Sequence, residues 1–225
     1  MKKQIYSLLY TGLLLPISAS AVPLFGTATT DFVINGTTVA SRPELAGVIL
    51  EDKLSNFTIS GAGETLSGII QNRVVRSDVD GTLDFYWRII PTSGDGDLMA
   101  FRVGGFDGFA LNADWRTDGV GDIGPNIARY FGDGSGEVNF LFENEVGGND
   151  ISGYQTSKFF FLDTDAVNYN KNASFDLLCS NQNCISESYS TFGPATVPVP
   201  ASVWLFVTGL IGLTGLNLQK KGKQI

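Results

Sequence analysis

The sequence contains no histidine among its 225 residues. This absence excludes Ser–His–Asp and Cys–His catalysis, because both mechanisms need an imidazole to carry the proton. It also excludes the common zinc and copper sites that use imidazole ligands. The chemistry that remains open to the chain is carboxylate chemistry, or none.

Cysteine is nearly absent too, with Cys179 and Cys184 as the two examples. They are separated by Ser-Asn-Gln-Asn, a sequence typical of a turn. In an exported chain such an even pair predicts a disulfide that closes a short loop. The alternative is a pair of free, reactive thiols, which would need an activating cation nearby.

Basic residues are scarce relative to acidic ones, 15 against 23, which gives a net charge of −8. Five of the basic residues lie in the first three and the last six positions. The chain between them therefore carries ten basic and 23 acidic residues, a net charge of −13. A surface this acidic repels nucleic acid and anionic lipid headgroups. We therefore expect no nucleic-acid partner.

The first 21 residues have the pattern of a signal peptide. Lys2 and Lys3 form a basic start, and a mostly apolar segment runs from Ile5 to Ile17. Ala19-Ser20-Ala21 then fits the small-x-small cleavage rule, with the cut before Val22. The alternative is an uncleaved N-terminal membrane helix, although the apolar segment is short and interrupted. Cleavage predicts an exported protein.

A second apolar run, Ala201–Leu218, carries no charged residue. As a helix it would be roughly 27 Å long, close to the hydrocarbon thickness of a bilayer. Lys220, Lys221 and Lys223 follow it and, by the positive-inside rule, would remain cytoplasmic. We expect a transmembrane helix here; a buried apolar helix of a soluble domain is the alternative.

A proline motif stands immediately before this run: Val197-Pro198-Val199-Pro200-Ala201, followed shortly by Trp204-Leu205-Phe206. With the apolar helix and the lysines, residues 197–225 resemble the PEP-CTERM sorting signal of Gram-negative exosortase substrates, in its Val-Pro-x-Pro-Ala variant. Val199 stands where the strict motif has Glu, and lysine replaces the usual terminal arginine. The resemblance implies processing by an exosortase-type membrane transpeptidase. It predicts an inner-membrane-anchored precursor and then a cell-surface or extracellular protein.

The body, residues 22–196, is rich in strand patterns. Leu83, Phe85, Trp87 and Ile89 alternate along the best of them, and Lys158–Leu162 is a short run suited to burial on both faces. Gly/Asp/Asn/Ser clusters between such segments indicate turns. Leu45–Leu50 and Ile123–Tyr130 could each hold a turn or two of helix. The pattern predicts an all-β body, an antiparallel β-sandwich or jelly roll.

Candidate site residues are few in the body. Asp95 and Asp97 lie two apart in a Gly/Asp loop and are weak candidates for calcium ligands, although no complete EF-hand pattern is present. Trp115, flanked by Asp114 and Arg116, is a weak candidate for an aromatic ligand platform, whereas Trp87 fits the core better. No carboxylate pair stands out for glycoside hydrolysis, and no catalytic residue is assigned.

The leading functional expectation is a non-enzymatic structural or adhesive protein of the cell envelope, associated with extracellular polysaccharide. That association comes from the company that the PEP-CTERM family keeps. A carbohydrate- or calcium-binding lectin-like module is the alternative, and a glycan-active hydrolase is the third hypothesis. No cofactor is expected beyond calcium in the lectin-like case.

Overall fold

The computed structural model of the protein describes residues 21–61, 63–142, 150–180 and 184–196, together with Thr208. Strands are the main secondary structure of this part of the chain, which also has a 3-10 turn at Pro43–Leu45. The strands, in chain order, are β1 Val22–Leu24, β2 Thr30–Val33, β3 Gly47–Gly61, β4 Glu64–Ser77, β5 Leu83–Gly94, β6 Leu98–Gly104, β7 Leu111–Trp115, β8 Ile127–Tyr130, β9 Val138–Leu141, β10 Phe160–Thr164, β11 Tyr169–Cys179 and β12 Tyr189–Pro194.

The strands form two six-stranded sheets. The front sheet has the order β1-β7-β10-β5-β4-β3, and the back sheet has the order β12-β11-β6-β9-β8-β2. All the pairings between neighbouring strands are antiparallel. The predicted all-β body with two antiparallel sheets is therefore confirmed.

The main core lies between the two sheets and is built largely from aromatic rings. Trp87 of β5 packs against Phe101 of β6, with 5.5 Å between ring centroids, and Phe101 packs against Phe160 of β10 at 5.0 Å. Leu83, Phe85, Trp87 and Ile89 all belong to this core, as the alternation predicts. Burying one such side chain contributes about 1.5–3 kcal/mol, so the aromatic content of the sequence goes largely into holding the sheets together.

A hydrogen-bonded bridge crosses this core at β12. The hydroxyl of Thr191 accepts a hydrogen bond from the Trp87 indole at 3.0 Å and donates one to the side-chain oxygen of Asn72 at 2.9 Å. All three side chains are buried. Because buried polar groups need partners, this bridge fixes β12 of the back sheet to β4 and β5 of the front sheet.

The outer face of the front sheet is partly covered by the segment between β2 and β3. A second apolar cluster forms there, in which Leu45 of the 3-10 turn packs with Val75, Tyr86, Phe159 and Phe161. This cover explains the run of consecutive phenylalanines: Phe160 points into the main core, and its two neighbours point into the outer cluster. The predicted burial on both faces is confirmed.

Two local expectations were wrong. Ile127–Tyr130 is strand β8, not helix, because it pairs with both β2 and β9 in the back sheet. In the segment Leu45–Leu50 the 3-10 turn ends at its first residue, Leu45, and strand β3 begins at Gly47. Tertiary pairing decides both cases, since short apolar segments have no strong preference of their own.

The predicted signal peptide, residues 1–21, lies outside the described residues except for Ala21. The proposed sorting signal, residues 197–225, lies outside them except for Thr208. Within the described ranges no helix has the length and apolar character needed to cross a membrane. Signal peptide, transmembrane helix and sorting motif therefore stay predictions from the sequence.

Candidate functional site

The predicted disulfide is present. Cys179 at the end of β11 is bonded to Cys184, with the two Cα atoms 5.5 Å apart. Both residues are buried and belong to the main core. The amide of Cys179 also donates to the carbonyl oxygen of Cys184 at 3.2 Å. The pair closes one edge of the sandwich core and takes no part in a surface site.

The calcium candidates lie in the connection between β5 and β6. Asp95 is exposed and Asp97 is half-buried. Burial and the neighbouring charge of Asp150 raise the pKa of Asp97. Across the described residues, no three acidic or cysteine side chains are grouped so that they could hold a metal ion. The geometry therefore adds nothing to the calcium hypothesis.

Trp115 is half-buried at the end of β7 and packs against the main core. Its ring is held between two glycines: a Cβ placed on Gly36 would lie 2.7 Å from the ring, and one on Gly124 would lie 2.3 Å from it. The indole N–H is buried and has no hydrogen-bond partner among the described residues. This clamped ring contrasts with the open platform that a sugar ring would need.

A large groove opens on the outer face of the front sheet, next to the Leu45 cover. We call it the front groove; its volume is about 600 Å³. That volume is typical of pockets that bind small molecules or short segments of a polymer. Its lining comes from β4, β5, the approach to β10 and the loop after β7: Leu45, Gln71, Arg73, Val75, Tyr86, Arg88, Arg116, Asp118, Gly119, Val120 and Phe159.

Strand register explains why these residues meet. Arg73 of β4 is paired with Tyr86 of β5, and Gln71 is paired with Arg88. Paired residues of an antiparallel sheet point to the same face, and residues two apart on one strand do so as well. Arg116 follows β7, where its amide donates to the carbonyl oxygen of Phe159 at 2.7 Å. Four neighbouring strands therefore contribute to one polar surface.

The three arginines of the front groove are held in different ways. Arg73 donates to Asp52 at 2.7 Å, and its guanidinium lies 4.6 Å from the centre of the Phe159 ring. Arg116 donates from its Nε to Asp118 at 2.7 Å. Arg88 donates to two neutral acceptors, the carbonyl oxygen of Ser157 and the hydroxyl of Thr156, both at 3.2 Å. All three are positioned by the fold before any ligand arrives.

The floor of the front groove is aromatic. Tyr86 is 2% exposed and Phe159 is 7% exposed, so the rings form the base and the arginines form the walls. The Tyr86 hydroxyl donates to the carbonyl oxygen of Leu45 at 3.4 Å. Burial raises the pKa of Tyr86 far above its ordinary value, so it stays a neutral phenol.

The carboxylate that lines the front groove is Asp118. Burial acts to raise its pKa, but hydrogen bonds from the Arg116 side chain and the Val39 amide prevail and lower it. Asp118 is therefore ionised and engaged at neutral pH. A general acid would instead need a raised pKa, and a glycosidase would need a second carboxyl group facing the first. The lining that the structure describes offers a ligand hydrogen-bond donors above an aromatic floor.

A buried acidic pair lies beside the groove, under Arg42. Asp84 of β5 is paired with Asp163 of β10, and Asp163 accepts a hydrogen bond from Arg42 at 2.6 Å. Asp84 is 1% exposed, and neither of its carboxyl oxygens accepts a hydrogen bond. Burial first, and then the Asp163 charge, raise the pKa of Asp84 to about 8. Burial raises the pKa of Asp163 as well, but the charge of Arg42 opposes that shift, so Asp84 is the member of the pair that is protonated more readily.

Comparisons of the chain with protein-family models, with curated proteins and with solved structures returned no match. The front groove was not predicted from the sequence, where Arg116 stood out as a neighbour of Trp115. The sequence feature that could have indicated the groove is Arg88, a charged residue on the outward face of an otherwise apolar strand.

Proposed function

We propose that the protein is an exported, non-enzymatic β-sandwich that attaches to carbohydrate through the front groove and serves an adhesive role at the cell envelope. The observation that supports this most directly is the groove itself. It combines a volume of about 600 Å³ with an aromatic floor and polar walls, of which Gln71, Arg73 and Arg88 lie on sheet strands. Sites built on strands keep their geometry better than sites built on loops.

The sorting part of this proposal rests on the resemblance of residues 197–225 to a PEP-CTERM signal. The described body ends soon after β12, whose last residue is Pro194, so the proline motif would follow directly on the last strand of the sandwich. A disulfide fits an exported protein as well, because such bonds persist in oxidising compartments.

A glycan array tests the binding function. Full-length protein is applied with and without chelator, beside two variants. Gly119→Trp would fill the front groove, and a Cβ at position 119 meets only ordinary contacts, the nearest at 3.4 Å. Gly104→Trp is the matched control, because it adds the same side chain to the back sheet, where a Cβ meets nothing within 4 Å.

We expect the parent protein and Gly104→Trp to be retained by the same glycans, and Gly119→Trp to lose retention. Chelator should change nothing, since the groove relies on arginine rather than on a bound ion. Retention of Gly119→Trp at the parent level, or an array without any retained glycan, would contradict the proposal. Shortening of a bound polysaccharide during incubation would instead favour the hydrolase hypothesis.

A further inference from the structure

We infer that the front groove recognises the carboxylate groups of an acidic polysaccharide, with uronic-acid residues as the chemical class. This inference rests on the proposed carbohydrate-binding function and names the ligand class of the same site. It is carried by the placement of three guanidinium groups, by their partners and by the charge of the rest of the chain.

The first step concerns charge. Three arginines and one aspartate line the front groove, and Asp52 is paired with Arg73 beside it, so the local charge is +1. The whole chain carries −8. A positive groove in an acidic surface attracts an anionic ligand to one place and repels it elsewhere. A neutral sugar could accept hydrogen bonds from the arginines but would not gain this electrostatic attraction.

The second step concerns Arg88. Among the described residues no carboxylate forms an ion pair with it, and its two acceptors are neutral. The Thr156 hydroxyl that accepts from Arg88 donates in turn to Asp122 at 3.1 Å. Asp122 therefore orients the arginine through Thr156 but does not line the groove. Arg88 is positioned and half-buried, and its charge is available to a ligand.

The third step concerns Arg73 and Arg116. Each binds its own aspartate through a single nitrogen, although a guanidinium has five N–H donors. Arg73 also lies over the Phe159 ring, 4.6 Å from its centre, which limits the movement of its donors. Planar, oriented donors of this kind match the two oxygens of a carboxylate.

The fourth step concerns spacing. The arginines come from β4, from β5 and from the end of β7. In the front sheet β4 and β5 are neighbours, and β10 lies between β5 and β7. Neighbouring strands lie about 4.8 Å apart, so the positive charges extend across roughly 14 Å of sheet. A polymer that carries one charge on each unit can meet all of them at once. A single phosphate concentrates its charge at one point and cannot extend across the whole of this distance.

Calorimetry with oligogalacturonate, with its fully methyl-esterified form and with a sulfated neutral oligosaccharide of equal length tests the inference on the full-length protein. We expect the free acid to bind at least about tenfold more tightly than the ester, because each ion-assisted hydrogen bond is worth roughly a factor of ten or more. The sulfated form should bind more weakly than the acid. Added salt should weaken binding of the acid and leave any binding of the ester unchanged.

The variants separate position from net charge. Arg88→Gln should weaken binding of the free acid about tenfold or more, and Arg88→Lys by a smaller factor, because lysine keeps the charge but loses the planar fork. Arg116→Gln, at the rim of the groove, should also weaken binding of the free acid. Arg129→Gln is the control, because Arg129 lies on β8 of the back sheet, where it is paired with Asp31. This variant should bind the free acid with an affinity within about twofold of the parent's.

Equal binding of acid and ester, parent-like binding by both Arg88→Gln and Arg116→Gln, or tighter binding of the sulfated form would overturn the inference. If the ester binds as well as the acid and Gly119→Trp still abolishes binding, the groove function stands and the carboxylate specificity falls. If neither form binds and the glycan array is also negative, both proposals fall together.

Discussion

At the scale of single residues, Asp84 is a carboxyl group buried in the front sheet. It is buried between Val75 and Asp163 in the strand register, below a loop that carries Arg42. The charged groups that act on it are Asp163 on β10, Arg42 in the covering loop and Asp80 in the turn before β5. Repulsion from two carboxylates and the loss of water together outweigh the attraction of one guanidinium.

The raised pKa of Asp84 makes folding pH-dependent. Its value rises from the ordinary 3.8 to about 8, so between these two pH values the folded state binds more protons than the unfolded state. The free energy of unfolding therefore falls as pH rises from about 4 through 8. The stabilisation from the protonated form is complete below the unfolded pKa and is lost as pH passes the folded pKa.

Asp84→Asn should remove this dependence, because an amide of nearly the same shape is neutral at every pH. We expect the variant to be more stable than the parent by about 1–3 kcal/mol at pH 9, and to differ little at pH 4. Urea unfolding at several pH values measures this. Asp107→Asn, at an exposed aspartate, serves as control and should follow the parent curve. If the free energy of unfolding varied with pH in the same way for the parent and for Asp84→Asn, Asp84 would be charged in the folded state.

At the scale of strands, the parts of the fold that were predictable are those whose apolar residues face the main core. Strand β5 shows this alternation in its sequence because its inner face packs on the back sheet. Strands β1, β2 and β12 were not predicted. All three lie at sheet edges. β1 and β2 are only three and four residues long, and the buried half of β12, Thr191–Pro194, contains one large apolar residue, so none of them shows an alternating apolar pattern. The first half of β3 was missed for the same reason, and Leu54 there is exposed.

The front groove could not be predicted because it depends on register. Arg73, Arg88 and Arg116 are separated by 15 and 28 positions in the sequence, and nothing in their local patterns links them. The antiparallel pairing of β4 with β5 brings two of them together, and the bond between Arg116 and Phe159 brings the third. Local sequence can indicate a strand, but the pairing and register of the strands determine which side chains lie next to one another on a face of the sheet.

The attachment of β12 gives a prediction at this scale. Thr191→Val keeps the shape of the side chain but leaves the Trp87 indole and the Asn72 oxygen without their partner. Each unsatisfied buried group costs about 1–3 kcal/mol, so we expect a loss of about 2–4 kcal/mol in the free energy of unfolding. Denaturant titration gives the value, with the m-value unchanged if unfolding stays cooperative.

Thr58→Val is the matched control for this substitution. Thr58 lies on β3, where its exposed hydroxyl contacts Ser67 at 3.0 Å. Because water can replace that contact, the change should be below about 0.5 kcal/mol. An equal decrease in the free energy of unfolding for Thr191→Val and Thr58→Val would mean that the buried hydroxyl bridge stabilises the fold no more than an exposed hydroxyl contact does.

At the scale of the whole molecule, the prediction concerns processing of the tail. Pro198 and Pro200 restrict both themselves and the residues before them, so the motif should remain extended next to the membrane. We expect the mature protein to lack the residues from about Ala201 onward. Replacing both prolines by alanine should leave an uncut precursor in the inner membrane, and peptide mapping of the two forms measures this.

The control for the tail is a pair of substitutions in the same segment that spare the motif, such as Ser202→Ala with Thr208→Ala. These should be processed like the parent. Recovery of an intact Leu205–Lys220 region from the mature envelope protein would rule out processing, and a plain single-pass anchor would then describe the tail.

The Thr191 bridge also has a mechanical consequence. If the tail holds the protein to the cell and the front groove holds a polymer, any pull between them enters through β12 on the back sheet and leaves through the front sheet. Load must then cross the aromatic interior, and the hydroxyl bridge to Trp87 and Asn72 lies on that route. The strand that would otherwise peel first from the edge is fastened to the opposite sheet, so an adhesive tether would yield only when both sheets yield together.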